Sequence, residues 1–369
     1  MATEITGNVG FAPPGTDSFH ATVIARVQEY FKTRNLSPYA NTKMWVKTIV
    51  MLLMYFVPYV LLILGLGAGH PWIFFLFWFL MGWGMIGIGT SVMHDAHHGT
   101  YSPKRKVNAT IGFILEIIGG FSVTWKIQHN ELHHTYTNIA GLDEDLDTMK
   151  ILRFSPRQPR KWYHRYQHLY VWFFYGIMTL FWMTAKDYIQ AIRYRQHDLL
   201  TTHHLSLKQA LFRITLYKLF YYGYIIVLPI LVAGMPWYYV VLGFLLMHFV
   251  AGLFLSCIFQ PSHIVEASEF ALPVDTNGKM EMEESWAVHE VENTTDFAPN
   301  SRVLTWFIGG LNFQIEHHLF TRICHVHYPQ LAPIVKKTAA DFGVVYHTEP
   351  TFWDALRGHV KMLKKLGRA

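Results

Sequence analysis

Three histidine clusters hold the side chains of this sequence best suited to chemistry: His94-Asp95-Ala96-His97-His98, His129-Asn130-Glu131-Leu132-His133-His134 and Gln314-Ile315-Glu316-His317-His318. In each, two imidazoles, or an amide and an imidazole, stand three or four residues apart. On an α-helix that spacing places both side chains on one face, one turn apart. A neutral imidazole is the commonest protein ligand for a metal ion and carries no charge into a dry site. The pattern therefore predicts helices that present nitrogen donors to metal. His263, in Phe259-Gln260-Pro261-Ser262-His263, adds a donor at the end of an apolar run.

A structural zinc site needs four ligands and often uses thiolates. Here there are eight or nine nitrogen or oxygen donors, and Cys257 and Cys324 form no CxxC pair or disulfide framework. The number suits two ions. Iron, copper and zinc all accept imidazole; zinc implies hydrolysis through activated water, iron implies oxygen activated against a C–H bond. Ligating imidazoles usually donate their second N–H to an oxygen, and Asp95, Glu131, Glu316, Asn312 and Asp143-Glu144-Asp145 are available. The acidic triplet reads equally as a solvated turn, and Glu316, on a different helix face from Gln314 and His317, is expected to pair away from the metal.

Other histidines read as structural. His164 and His168 have the spacing of the first cluster but lie among Arg160, Lys161 and Arg165, which repel a cation, so a solvated or headgroup-facing helix is expected. His203-His204 stands in a polar loop. His248 lies inside an apolar run, as a buried hydrogen-bonded residue. His325 and His327 alternate in facing, so at most one points inward. His97 lies off the His94–His98 face.

The elements that must position these groups belong to a membrane protein. The 369-residue chain is 51% hydrophobic and 15% charged, against about 25% charged in soluble domains. The formal charge of +6 contains no basic run that suits nucleic acid. Four stretches, Ile49–Ala68, Pro71–Met93, Leu219–Met235 and Trp237–Ile258, approach the about 20 apolar residues of a spanning helix. They form two hairpins, with turns at Gly-His-Pro and Ala-Gly-Met-Pro. Shorter apolar runs at Ile111–Gly120 and Tyr170–Met183 are expected to lie in the interface. Lys and Arg are missing from both turns but recur from Lys104 to Arg195 and in both tails, which places these segments and all three clusters on the cytoplasmic side. Amphipathic or cytoplasmic helices are expected at Ser18–Lys32, Tyr328–Phe342 and Thr351–Leu366. The expected fold is all-α: four transmembrane helices, interfacial helices and a cytoplasmic helical cap. It forms one domain over residues 1–369, with a cytoplasmic tail at 1–44, a membrane and cap core at 45–346 and a C-terminal helix at 347–369. The N-terminus has no apolar core or cleavage pattern of a removed signal peptide.

Taken together, the clusters resemble the histidine boxes of membrane fatty acid desaturases. The glutamine-led third box and the flanking runs Trp125-Lys-Ile-Gln-His129 and Gly309-Gly310-Leu311-Asn312 resemble the acyl-lipid and front-end branch. The resemblance implies two non-haem iron ions held by His94, His98, His129, His133, His134, His317 and His318, with His263 matching an additional family histidine and Gln314 standing where relatives carry a histidine. It also implies O2 as co-substrate and removal of two hydrogens from an acyl chain on a membrane lipid, coenzyme A or a carrier protein. No His-Pro-Gly-Gly haem motif occurs and the tail before Ile49 is short, so a separate electron donor of ferredoxin or cytochrome b5 type is expected. The enzyme would sit in the cell membrane of a bacterium or the endoplasmic reticulum of a eukaryote. The rival readings are a lipid or alkane hydroxylase of the same metal class and, more distantly, a histidine-rich metal transporter, which would need ionisable residues deep in its spans.

Overall fold

Long uncharged apolar stretches become helices in lipid because only an internal hydrogen-bond ladder satisfies their backbone there. The computed structural model describes residues 9–13, 18–146, 150–268, 270, 272–276 and 279–369, so the stretch read for a signal peptide lies partly outside the described residues. Among the described residues four helices are long and apolar enough to cross a bilayer: Thr42–Ile63, Pro71–His98, Leu207–Val232 and Trp237–His263. All four expected spans are present, but their ends move. The third begins at Leu207 rather than Leu219. The second and fourth run on through polar residues, so His94, His98 and His263 lie in the last turns of spanning helices, and His263 is not beyond the helix end as the sequence suggested. A helix follows its hydrogen bonds past the end of its apolar stretch, and hydropathy marks only the stretch.

The chain divides into two compact units, each built from separated segments. The span-bearing unit comprises Thr42–Ile127 and Trp172–Cys257. In its second and fourth spans 61% of the apolar window is buried in protein, against 33% and 28% in the first and third, so the second and fourth form the interior and the others face lipid. Without a hydrophobic drive between helices in lipid, close approach supplies the packing. At Gly84 a Cβ would strike the backbone of Tyr55, and at Gly252 the carbonyls of Tyr175 and Gly176. Phe74, Phe77, Trp78 and Gly82 are buried among the packed spans. The expected interfacial run at Ile111–Gly120 falls in a bent pair, Arg105–Ile117 and Ser122–Tyr136, turned by 111° at a short break.

The histidine-rich unit comprises Met1–Asn41, Gln128–Val171 and Ile258–Ala369. Its core lays Phe19, Val23 and Val27 of the helix Phe19–Thr33 against Leu331, Val335 and Ala339 of Tyr328–Phe342, with Ile315 and Leu319 of the helix Gln314–Leu319 closing over them. The periodicity that predicted the first of these helices is the buried face observed. Two small sheets supplement the helices. Gly10–Phe11 pairs parallel with Lys279–Met282, which pairs antiparallel with Val274–Thr276. Asp296–Phe297 pairs parallel with Thr348–Glu349. The C-terminal helix, Phe352–Arg368, buries His359, whose Nδ1 is 2.7 Å from the carbonyl of Ile264.

Candidate metal centre

The second cluster does not sit on a regular α-helix. Residues Ile127–His133 form a π-helical turn, and Ile88–Met93, immediately before His94, forms another. In a π-turn the hydrogen bonds run from i to i+5, and such turns gather at functional sites. The wider turn brings residue i+5 as well as i+4 under residue i. His129, His133 and His134 therefore face one place, with Nε2 of His129 and His134 3.1 Å apart. Spacing on an α-helix would have predicted only the His129–His133 pair.

Three chain segments of the histidine-rich unit meet there. The helix Gln314–Leu319 contributes His317 and His318, and the end of the fourth span contributes His263. Ring centroids lie 4.4 Å apart for His134 and His318, 4.5 Å for His134 and His317, 4.8 Å for His133 and His263, and 5.0 Å for His263 and His318. All six imidazoles are buried. One donor atom from each of His133, His263 and His318 can be chosen so that all lie within 4.8 Å of one another. Gln314 is buried beside His263.

Carboxylates back the cluster. His133 Nδ1 lies 3.1 Å from Asp143 Oδ1, and Asp143 is fixed by the backbone N–H groups of Asn138 and Asp145, each at 2.9 Å. His318 Nδ1 is 2.7 Å from Glu290 Oε2, to which the Thr137 hydroxyl donates at 2.8 Å. Both contacts turn Nε2 of the ring toward the other imidazoles. Burial opposes protonation of His133, but Asp143, Asp145 and Glu290 outweigh it and lift its pKa to about 9. Burial lifts Glu290 to about 8. Its carboxylate is therefore held ionised only with positive charge beside it. Buried imidazoles packed this closely and backed by the buried carboxylates of Asp143 and Glu290 fit a bound cation.

In the span-bearing unit His94 and His98 pack against each other, ring centroids 4.7 Å apart, and both touch Trp125. His97 packs on Trp125 from another side and against Gly112, as its position off the His94–His98 face suggested.

A model of the family described as fatty acid desaturase matches residues 70–350. The chain belongs to the fatty acid desaturase family. It is 34% identical over 366 residues to an sn-1 linoleoyl-lipid 6-desaturase of Arthrospira platensis, covering 99% of this chain and 96% of the relative. An enzyme of the same name from a Synechocystis strain is 32% identical, with 95% and 96% covered. An acyl-lipid (8-3)-desaturase of Physcomitrium patens is 34% identical over 97% of this chain and 73% of the relative. The chain is thus an oxidoreductase that desaturates fatty acyl chains, and its resemblance to acyl-lipid and front-end desaturases holds over most of its length.

Within this desaturase, Glu316 does pair away from the cluster: Tyr346 Oη donates to Asp296 Oδ2 (2.6 Å) and is 3.0 Å from Glu316 Oε1. His248 is the hydrogen-bonded core residue expected, between Tyr221 Oη (2.8 Å) and Thr179 Oγ1 (3.1 Å). Two expectations fail. His325 and His327 are both buried, because they lie in a tight 3-10 turn and not an alternating strand. His164 is buried rather than solvated, accepting from the backbone N–H of Lys161 at 3.0 Å and contacting the carbonyl of Lys150 at 3.1 Å. Glu290 escaped the sequence reading altogether. It sits far from every box, and no local spacing marks it.

Proposed function

We propose that this desaturase removes two hydrogens from an acyl chain of a membrane lipid, using two iron ions and O2. Carbon 6 is the position proposed, after the two relatives whose lengths this chain covers almost fully. The observation that carries the reading is the buried six-imidazole cluster backed by Asp143 and Glu290. His94, His98, His129, His133, His134, His263, His317 and His318 are the proposed iron ligands, and Gln314 offers an amide oxygen directly or through water. When bound, the iron pair would activate O2, which takes two electrons from the acyl chain and two from the external donor as an unactivated C–H bond is broken.

The protein's part is to hold, orient and exclude. Asp143 and Glu290 fix His133 and His318 by their Nδ1 atoms and leave Nε2 for metal. Burial of all six imidazoles keeps bulk water from their nitrogens. The cluster is proposed to open to the cytoplasm, in the cell membrane of a bacterium or the endoplasmic reticulum of a eukaryote. Electrons are proposed to come from a separate ferredoxin or cytochrome b5 type donor.

Expression in a host that supplies linoleoyl lipids but lacks position-6 unsaturation tests this. Extracted lipids should contain a new double bond at carbon 6, the purified protein two iron atoms per chain, and His133→Ala neither. A product heavier by one oxygen would instead assign the chain to the hydroxylases.

A further inference from the structure

Away from the histidine cluster, positive charge gathers at one place in the histidine-rich unit. Neither Ile151–Lys186 nor Ala355–Ala369 contains an acidic residue. The fold joins parts of these two stretches. Gln167 Nε2 donates to the carbonyl of Leu363 at 2.8 Å, and the Arg153 guanidinium donates to the carbonyls of Leu366 and Ala369. Gly367 lies so close to the carbonyl of His164 that no Cβ would fit. The end of the C-terminal helix is thereby pinned beside the turn Trp162–Tyr166. Arg160, Lys161, Arg165, Lys364 and Arg368 are all exposed. Lys364 and Arg368 are near enough to His168, and Lys161 and Arg160 to His164, to add to burial in lowering those imidazole pKa values. Exposed cations packed together from two stretches without an acidic side chain of their own repel one another and favour an anionic partner.

The same face carries exposed apolar groups. Trp162 is 77% exposed and Leu169 65%. Arg165 lies over the Tyr166 ring, 4.9 Å from its centroid. From here the 15-residue helix Gln167–Phe181 runs on almost wholly apolar, shorter than the about 20 residues that cross a bilayer. Aromatic rings seat at the level of lipid headgroups, and Lys and Arg reach their phosphates.

We propose that this face is a docking surface for acidic phospholipid headgroups, which it gathers around the enzyme. An acidic soluble protein would match the charge but leaves unexplained why Trp162 and Leu169 are exposed at the start of an apolar helix. The proposal stands apart from the desaturation reading and from the metal.

The full chain reconstituted in bilayers of phosphatidylcholine with a minor share of phosphatidylglycerol tests it by native mass spectrometry of retained lipid. Phosphatidylglycerol should be enriched at least about fivefold over its bilayer share, the size of one cation–headgroup contact. Enrichment should vanish in 0.5 M salt (about a 4 Å Debye length) and in R160Q/K161Q/R165Q/K364Q/R368Q, with thermal unfolding unchanged. A nitroxide at W162C should report headgroup depth; the native Cys257 and Cys324 are buried. Equal retention of both lipids, or enrichment that survives the five substitutions, overturns the proposal. So does a water-exposed nitroxide in a variant that loses only reduction by an acidic electron carrier, which would assign the face to a protein.

Discussion

Asn138 and Glu290 show how single side chains hold the cluster. Asn138 has φ +60°, a left-handed conformation that asparagine tolerates. Its Nδ2 donates to the carbonyls of His263 (2.9 Å) and Asn293 (3.2 Å), and its N–H to Asp143 (2.9 Å). Asn138→Gly removes the side-chain bonds and keeps the backbone easy, at about 1 kcal/mol per bond; Asn138→Ala adds about 1–2 kcal/mol of left-handed strain. The alanine variant should therefore melt below the glycine variant, and the reverse order in a thermal scan refutes this account. Glu290→Ala removes the carboxylate from His318 and should reduce iron retention or turnover by about 10- to 100-fold, with Glu290→Gln intermediate. Metal analysis of the purified variants checks it. Asp143 was legible in the sequence as one of several acids near the boxes. Glu290 was not, because it meets His318 and Thr137 from 28 and 153 residues away.

At the scale of elements, the four spans and the helix Tyr328–Phe342 were legible because apolar length and helical periodicity are local properties. The π-turns were not: a widened turn depends on what packs around it, and no residue type forces one. The C-terminal helix supports a pH prediction. His359 is buried on it, and burial lowers its pKa to about 4, below the about 6.5 of an unfolded histidine. As pH falls below about 6.5 the unfolded segment takes up the proton first, so stability is full above that value. It declines toward pH 4 by at most about 1.4 kcal/mol per pH unit. Hydrogen exchange across residues 352–368 should accelerate over this window. His359→Gln, which can still donate to the Ile264 carbonyl, should flatten the dependence. An unchanged slope would mean that another group titrates.

For the molecule as a whole, a buried ion pair joins distant segments of the span-bearing unit. Lys218 Nζ lies 2.8 Å from Asp187 Oδ2 and also donates to the carbonyls of Gly119 (3.1 Å) and Met183 (3.0 Å). Thr124 donates to the other Asp187 oxygen at 2.8 Å. The pair ties the third span to the segment that leads into the second box. Breaking a buried pair from one side leaves a charge without its partner and costs about 3–5 kcal/mol, whereas replacing both partners by apolar groups can be neutral. Lys218→Met should thus express poorly and melt early, and Lys218→Met with Asp187→Leu should recover much of the loss. A double variant no better than the single one would show that the hydrogen bonds, and not the charge, hold the unit.

The sequence by itself determined that this chain is a membrane desaturase with histidine donors: apolar length, box spacing and a glutamine-led third box are carried by neighbouring residues. Tertiary structure alone decided that a π-turn is what aligns His134 with His129 and His133, that Asp143 and Glu290 are the acids behind the imidazoles, and that His164, His325 and His327 are buried packing residues. Spacing along a helix is a property of a few neighbours. Which acid reaches which imidazole depends on how segments far apart in sequence pack, and that is settled only when the core closes.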